Sequence, residues 1–342
     1  MLIMDELSNQ MLKLHNEVAQ KKTTLAKKMA LRSLLARKLS LYSRNPMCGV
    51  YVIGSSLNGF GHDSSDLDLC FMFTNVDVNQ RLIVMQWLQT LKNLFDELPE
   101  VESQHIICAK VPILRMRFHK PYEEIIVDFN VNNAVAIRNT HLLCHYSTYD
   151  PRLRPIVSVV KEWAKRQGIK DASHCSFTTY SLVLMVIHYL QCGVHPAILP
   201  SLQKLKPQAF SPLPRSHKMK NKADPDLPNP SSMSDLLIGF LGYYAHEFNF
   251  DNDAISVRLG QKLPRSAVAK NINPLVPLSQ WKCVCIEEPF TYSNTAHSIY
   301  DDNVFKAIKG AFEAGYKVLS STRDLSAFLA MPPVEFPKTG LY

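Results

Sequence analysis

The apolar residues of the chain recur with a helical period at both ends and in short runs between them. Before residue 43, leucine and methionine lie three or four positions apart, as at Leu7, Met11 and Leu14, which predicts one long helix or two shorter ones. Between residues 48 and 130, short runs rich in β-branched and aromatic residues predict strands. After Ala134 the period is helical again. The pattern therefore predicts an α+β chain.

Strand and helix patterns alternate in the first half of the chain, and the second half is mainly helical. The strands are expected at Val50 to Ile53, Leu69 to Phe73, Gln104 to Ala109, Ile113 to Phe118 and Ile125 to Phe129. The helices are expected at Val78 to Leu98, Ala134 to Tyr146, Arg152 to Gln167, Phe177 to Gln191, Met233 to Phe248 and Asp302 to Ala314. Residues 203–232 are rich in proline, lysine and serine and predict a mobile insertion.

Charge and cysteine content narrow the class of protein. The 342 residues carry a formal net charge of +8, which suits either a polyanion such as RNA or a solvated basic surface. Both interpretations apply to the basic face of the N-terminal helical segment, formed by Lys21, Lys22, Lys27, Lys28, Arg32, Arg37 and Lys38. The eight cysteines form no CxxC pair, and there is no secretory signal or apolar run of transmembrane length. These features predict a reducing, intracellular compartment without structural zinc.

Two carboxylates stand where the second apolar run of the strand region begins. Asp66 and Asp68 are two positions apart, so in a strand they project to the same face. Two like charges at that distance are unfavourable unless a cation lies between them. Mg²⁺ is the expected cation, with Mn²⁺ as the other one considered, because such ions take oxygen ligands.

A third carboxylate, Asp128, lies within the later apolar run from Ile125 to Phe129. A buried aspartate needs an ion pair, a cap or a metal, and the upstream pair favours the metal. Three carboxylates holding two metal ions suit nucleotidyl transfer. The small residues Gly54, Ser55 and Ser56 follow the first run and would let backbone N–H groups and a hydroxyl approach a triphosphate.

A Gly-Ser pair, an Asp-x-Asp pair and a distal aspartate resemble the signature of the nucleotidyltransferase superfamily typified by DNA polymerase beta. Later segments resemble the noncanonical poly(A) polymerases and terminal uridylyltransferases, and within them the germline-development class of cytoplasmic poly(A) polymerases. The similarity covers nearly everything from residue 48 to 300. The segments that carry it are 128–133, 137–140, 154–156, 161–165, 177–185 and 286–290.

The resemblance implies roles for residues outside the carboxylate motif. Asn133 would bond the ribose hydroxyls, although a helix cap is the other interpretation, because it directly precedes Ala134. Lys161 and Lys165 are four residues apart on one predicted helix and would both reach the triphosphate. Thr179 and Tyr180 would contact the phosphates and stack on the base.

Base choice is expected to depend on two residues near the end of the matched region. Glu288 would face the edge of the base. In the uridylyltransferases a histidine follows shortly after and disfavours adenine. This chain has Asn294 in that position, and His297 is out of register. The resemblance therefore implies a preference for ATP over UTP.

The resemblance also implies a bilobal α+β fold with a cleft between the lobes. An N-terminal helix, residues 1–46, is expected to pack on the helical domain; a palm with a mixed β-sheet, residues 47–133, carries the catalytic carboxylates; and a mainly helical central, PAP-associated domain covers residues 134–342. The absence of long tails is compatible with trimming from a longer protein.

The predicted function is template-independent transfer of AMP from ATP to the 3′-hydroxyl of RNA, such as mRNA, in the cytoplasm. No RNP, KH or zinc-knuckle motif is present, so we expect weak, salt-sensitive RNA binding and an RNA-binding protein partner that docks on the helical domain. No membrane association is expected. The alternatives are a terminal uridylyltransferase and an inactive scaffold; a 2′-5′ oligoadenylate synthase would share only the opening motif.

Overall fold

The computed structural model describes residues 5–42, 48–73, 81–109, 111–210, 229–268 and 281–336. The chain divides into two units. We call Val18–His145 the sheet unit, and Met1–Glu17 together with Tyr146–Tyr342 the helical unit. The predicted α+β class, with a mixed sheet and a mainly helical remainder, is confirmed.

The sheet unit is built around one five-stranded sheet of order β1-β2-β5-β4-β3. After helix α1 (Glu6–Val18), its elements are α2 (Lys22–Tyr42), β1 (Gly49–Ile53), α3 (Ser55–Asn58), β2 (Leu67–Met72), α4 (Arg81–Phe95), β3 (Val101–Ile107), β4 (Ile113–Phe118), β5 (Val127–Val131) and α5 (Ala134–Ser147). Strands β2 and β5 are parallel, and the other neighbours are antiparallel.

Alternation along the strands separates a core face from a polar face. Leu67, Leu69 and Phe71 of β2 point into the main hydrophobic core, which helices α2 and α4 cover. Asp68 therefore lies on the opposite face. The same alternation in β5 buries Val127 and Phe129 and places Asp128 on that polar face as well. The hydrophobic core thus determines which side of the sheet carries the carboxylates.

The expected domain limits need two corrections. The described part of residues 1–46 is divided between the two units, because α2 contributes Leu31, Leu35 and Leu39 to the core of the sheet unit. The boundary expected after residue 133 falls after His145 instead. The reason is that the first turn of α5 packs on the polar face of the sheet, where Ile137 contacts the cluster around Cys70.

The helical unit contains α1 and the remaining helices. These helices are α6 (Leu153–Arg166), α7 (Thr179–His188), α8 (Leu202–Leu205), α9 (Met233–Gly242), α10 (Arg265–Val268), α11 (Asp302–Thr322) and α12 (Leu325–Leu329). Between α9 and α10, strands β6 (Asp253–Ser256) and β7 (Gln261–Pro264) form a hairpin. Trp163 of α6 stacks on Phe328 of α12 at 5.7 Å and meets Phe312 of α11 edge-on.

Most predicted elements exist with shifted ends. Helix α11 runs eight residues beyond the expected end at Ala314 because Ala311, Phe312 and Leu319 form one buried stripe with Gly315. Much of the expected insertion, at 211–228, lies outside the described residues, as do 43–47, 74–80 and 269–280. The described part of the chain contains no helix that is both long and apolar enough to cross a membrane.

Candidate active site

Three carboxylates meet on the polar face of the sheet, next to the turn that precedes β2. Asp68 and Asp128 are direct partners in the parallel pairing of β2 and β5, and Asp66 lies just before β2. Burial, together with the charges of Asp128 and Asp66, raises the pKa of Asp68 to about 7. Burial and the charge of Asp128 also raise the pKa of Asp66. The structure therefore brings the three predicted carboxylates within electrostatic reach of one another.

Arg115 of β4 is a cation in direct contact with this cluster, and the family resemblance did not point to it. It is the direct antiparallel partner of Asp128 and donates two hydrogen bonds to that carboxylate, at 2.8 and 2.6 Å. Its guanidinium also lies 3.7 Å from the Asp66 carboxylate. These contacts, led by the hydrogen bond to Asp128, raise the pKa of Arg115. The two-pronged geometry is the strong form of an arginine–carboxylate pair.

The donor set of this cluster fits a hard divalent cation. All three groups offer carboxylate oxygens, the ligands that Mg²⁺ and Mn²⁺ take. Gly54 has φ +68°, and a Cβ there would lie 2.5 Å from an Asp68 oxygen, so only glycine lets the backbone come so close to the carboxylate. Among the described residues, no group of three His, Cys, Asp or Glu side chains is already arranged to hold a metal ion, and Asp128 is paired with Arg115.

The loop after β1 holds the predicted phosphate-binding residues, but they are not equivalent. The Gly54 N–H donates to the Thr140 hydroxyl at 2.8 Å. Ser56 is buried; its hydroxyl accepts from the Lys28 ammonium at 3.2 Å and donates to the Asp66 carbonyl at 3.3 Å. Ser55 is half-buried. Ser55 is therefore the serine that can offer a hydroxyl to a phosphate, whereas Ser56 is occupied by internal contacts.

Asn133 lies at the start of α5, next to the end of β5. Its side-chain oxygen accepts a hydrogen bond from the Ala136 N–H at 3.2 Å, which is the geometry of a helix cap. Its N–H donates to the Cys70 sulfur at 3.4 Å. The structure thus shows the capping role; the contact with the ribose hydroxyls stays a prediction.

In the helical unit, the two predicted lysines differ in environment. Both lie on α6, but Lys161 is buried and Lys165 is exposed. Burial, together with the nearby charge of Lys170, lowers the pKa of Lys161 to about 7. Lys161 therefore holds an ammonium whose charge depends on pH near neutrality, and an anionic ligand would stabilise the protonated form.

Thr179 and Tyr180 begin α7, directly after the capping residue Thr178. The Tyr180 hydroxyl donates to Glu288 at 3.3 Å, and burial with the Glu288 charge raises its pKa. Glu288 is buried, and its other oxygen accepts from the backbone N–H of Phe290 at 3.0 Å. Glu288 therefore connects the tyrosine ring to its own loop.

Asn294 makes structural contacts in its own loop, and its contact with the base stays a prediction. The side chain is 1% exposed. Its oxygen accepts from the N–H groups of Ile286 and Ala296, both at 3.0 Å, and its nitrogen donates to the Val284 carbonyl at 2.7 Å. The structure shows an amide that holds together the backbone segments around Glu288.

Comparison with known families agrees with this geometry. Residues 7–148 match a family model described as "Poly(A) RNA polymerase, mitochondrial-like, central palm domain", and residues 232–294 match one described as "Cid1 family poly A polymerase". A palm with three carboxylates on a mixed sheet, joined to a helical region of this type, defines the class as nucleotidyltransferase-fold RNA polymerases.

The relatives give a narrower assignment. Poly(A) RNA polymerase gld-2 of Caenorhabditis elegans is 44% identical over 384 residues, covering 98% of this chain and 34% of the relative. Poly(A) RNA polymerase GLD2 of Mus musculus is 39% identical over 338 residues, covering 96% of this chain and 67% of the relative. The chain belongs to the GLD2 family of poly(A) RNA polymerases, which confirms the resemblance, and it spans about a third of the length of the nematode relative.

Solved structures give the same picture. The structure of a GLD-2/RNP-8 complex contains a chain 49% identical to this one, with a TM-score of 0.87 over 97% of this chain and 100% of that chain. The structure of a GLD-2–GLD-3 complex contains a chain that is 45% identical to this one. Its TM-score is 0.77, and the match covers 97% of this chain and 100% of that chain. A structure of the Cid1 poly(U) polymerase is 24% identical to this chain and has a TM-score of 0.74. The match covers 92% of this chain and 94% of that chain, and the two share the fold.

Proposed function

We propose that this chain adds AMP from ATP to the 3′-hydroxyl of RNA, without a template. The observation that carries the proposal is the group formed by Asp66, Asp68 and Asp128 on one face of the sheet. Membership in the GLD2 family supports the choice of reaction, since the relatives are named as poly(A) RNA polymerases.

In the proposed reaction, the RNA 3′-oxygen forms a bond to the α-phosphorus of ATP, pyrophosphate leaves, and the hydroxyl proton passes to solvent. Mg²⁺ or Mn²⁺ held by the three aspartates would supply the positive charge that stabilises the transferring phosphate, as in two-metal phosphoryl transfer. The chain's own residues bind and orient the nucleotide. Lys161 supplies an ammonium for the triphosphate, Ser55 a hydroxyl, and Tyr180 a ring held in orientation by Glu288.

A protein partner and a cytoplasmic location belong to the same proposal. Two of the similar structures are complexes, of GLD-2 with RNP-8 and with GLD-3. They support the idea that this chain also works with a partner, which would recruit RNA by docking on the helical region. The modest net charge of +8 agrees with weak RNA binding by the chain alone.

The test is a primer-extension assay with an oligo(A) RNA and one nucleoside triphosphate at a time, in Mg²⁺. The expected result is extension with ATP and at least tenfold less with UTP. Asp66→Ala and Asp128→Ala should each abolish extension. Glu124→Ala, which removes a carboxylate that is 81% exposed on the same unit, should leave it unchanged.

Each alternative function has its own outcome in this assay. Preferred extension with UTP would indicate a uridylyltransferase. No extension by the wild-type chain, with or without a partner, would indicate a scaffold. Extension that persists in Asp66→Ala and Asp128→Ala would show that the assigned carboxylates are wrong.

A further inference from the structure

A buried lysine supports the loop that precedes the carboxylates. Lys28 of α2 is 1% exposed, although the sequence places it in a basic helix face. Its ammonium donates to the Gln20 side-chain oxygen at 2.9 Å, to the Ser56 hydroxyl at 3.2 Å and to the Ser65 carbonyl at 2.7 Å. These three contacts match the three donors of an ammonium group. A charged group so deeply buried is retained only when its donors are satisfied in this way.

The contacts of Lys28 are part of a wider brace around Ser56. The side-chain nitrogen of Gln20 donates to the Ser56 carbonyl at 3.0 Å, so Gln20 and Lys28 together hold the carbonyl and the hydroxyl of that serine. The Gln20 N–H also donates to the Gly61 carbonyl at 3.1 Å. Ser56 in turn donates to the Asp66 carbonyl. One set of contacts therefore fixes the position of the backbone at Ser55–Ser56 and at Asp66.

Lys28 also places a fixed positive charge beside the carboxylates. Burial lowers the pKa of Lys28, and the charges of Asp68, Asp63 and Asp66 act in the opposite direction. The interaction is mutual, because the charge of Lys28 opposes the effect of burial at both Asp66 and Asp68. At Asp128 the nearby positive charge is that of Arg115, which donates two hydrogen bonds to the carboxylate. The carboxylates are thus influenced by the charges of Arg115 and Arg117 on β4 and of Lys28 on α2.

We propose that Lys28 is a positioning residue with two effects of opposite sign. Its hydrogen bonds hold the Ser55–Ser56 loop in the geometry that receives the triphosphate, which strengthens ATP binding. Its charge repels divalent cations from Asp66 and Asp68, which weakens metal binding. The first effect rests on the proposed nucleotidyltransferase function, and the second does not.

The opposite signs separate this role from simple structural support. Lys28→Met removes both the hydrogen bonds and the charge, so the KM for ATP should rise about tenfold. The dissociation constant for Mn²⁺ without nucleotide should fall about fivefold, which corresponds to about 1 kcal/mol of binding free energy, because loss of the ammonium removes a repulsion of the metal ion. A substitution that only destabilised the loop would weaken the binding of both ATP and Mn²⁺.

Gln20→Leu tests the brace without changing the charge. It should raise the KM for ATP severalfold and leave Mn²⁺ affinity unchanged. Lys27→Met is the matched charge control, because Lys27 is the adjacent lysine, is 52% exposed and is 3.8 Å from Glu124. It should change neither quantity by more than about twofold. Lys28→Arg keeps the charge and should keep the wild-type Mn²⁺ affinity.

The measurements are steady-state kinetics with an oligo(A) primer and direct Mn²⁺ binding followed by electron paramagnetic resonance. The Mn²⁺ titration also gives a result for Lys28→Met without any transfer activity. Weaker or unchanged Mn²⁺ binding in Lys28→Met, relative to the wild type, would overturn the charge effect. An unchanged KM in both Lys28→Met and Gln20→Leu would overturn the brace. If the wild-type chain is inactive and Lys28→Met nevertheless binds Mn²⁺ more tightly than the wild type, only the proposed function would be rejected.

Discussion

Asn294→Ala is the substitution that most directly separates a structural residue from a base-contacting one. The wild-type amide makes three hydrogen bonds to the backbone, two as acceptor and one as donor, at 2.7 to 3.0 Å. Alanine would leave two N–H groups and one carbonyl without their partner in a buried loop. The loop carries Glu288, whose carboxylate accepts from the Tyr180 hydroxyl.

The expected loss of stability follows from those three contacts. A buried polar group left unpaired costs about 1 to 3 kcal/mol. If water reaches one of the three groups after the substitution, two remain, so we expect the free energy of unfolding to fall by about 3 kcal/mol. That is a large share of the roughly 5 to 15 kcal/mol that stabilises a typical domain. Activity should fall with ATP and UTP alike, because the loop as a whole is loosened.

Urea unfolding followed by circular dichroism, and primer extension with each nucleotide, measure the two effects. Ser293→Ala is the neighbouring control, since its hydroxyl bonds the exposed Thr291 hydroxyl at 2.9 Å, and it should cost less than about 0.5 kcal/mol. If Asn294→Ala unfolds like the wild type and its preference for ATP over UTP falls tenfold or more, Asn294 contacts the base and the structural role is wrong.

The remaining predictions concern pH and the tyrosine ring. In EDTA, the thermal stability of the wild type should decrease between about pH 4 and pH 7, because Asp68 holds its proton longer when folded than when unfolded; Asp68→Asn should flatten this decrease in a thermal-shift series. The KM for ATP should rise as pH increases above about 7, where Lys161 loses its charge; Lys161→Met should remove this dependence and Lys165→Met should keep it. Tyr180→Phe keeps the ring and should lower kcat/KM less than tenfold, whereas Tyr180→Ala should lower it by about 10- to 100-fold if the ring stacks on the base.

The carboxylates could be predicted because their positions depend on local pattern. Asp66 and Asp68 are two residues apart at the start of an apolar run, so a shared face follows from strand geometry alone. The position of Asp128 beside Asp68 depends on the parallel pairing of β2 with β5, which spans 60 residues of chain. The sequence pattern does not contain that register; it pointed to Asp128 only because an aspartate within an apolar run needs a partner.

Arg115 could not be identified for the same reason. The segment Leu114-Arg115-Met116-Arg117 places two arginines on one face of a strand, and either could meet a carboxylate. Only the antiparallel register of β4 with β5, which pairs Arg115 with Asp128, decides between them. A shift by one residue would have turned both arginines to the other face.

Lys28 differs from Arg115, because the sequence did contain a signal for it. It lies three residues before Leu31 and seven before Leu35, which are both fully buried, so a helical period places all three on one face. A lysine within an apolar stripe needs partners for its ammonium group, and the polar residues of a neighbouring loop are the nearest source. The stripe itself therefore distinguishes Lys28 from the exposed Lys27, and a charge count over the whole helix conceals that difference.

Motif comparison and burial give different information about a residue, and Asn294 shows where they conflict. The comparison assigns a position to a ligand because relatives have a ligand-contacting residue there. Burial and hydrogen bonding decide whether this side chain has capacity left for a ligand, and three backbone contacts occupy most of the capacity of the Asn294 amide. Selection between ATP and UTP would then depend on groups that Asn294 holds in place, of which the Glu288 carboxylate and the Tyr180 ring are coupled by a hydrogen bond. Substitutions at Glu288 should accordingly change the ratio of ATP to UTP use more than substitutions at Asn294 do.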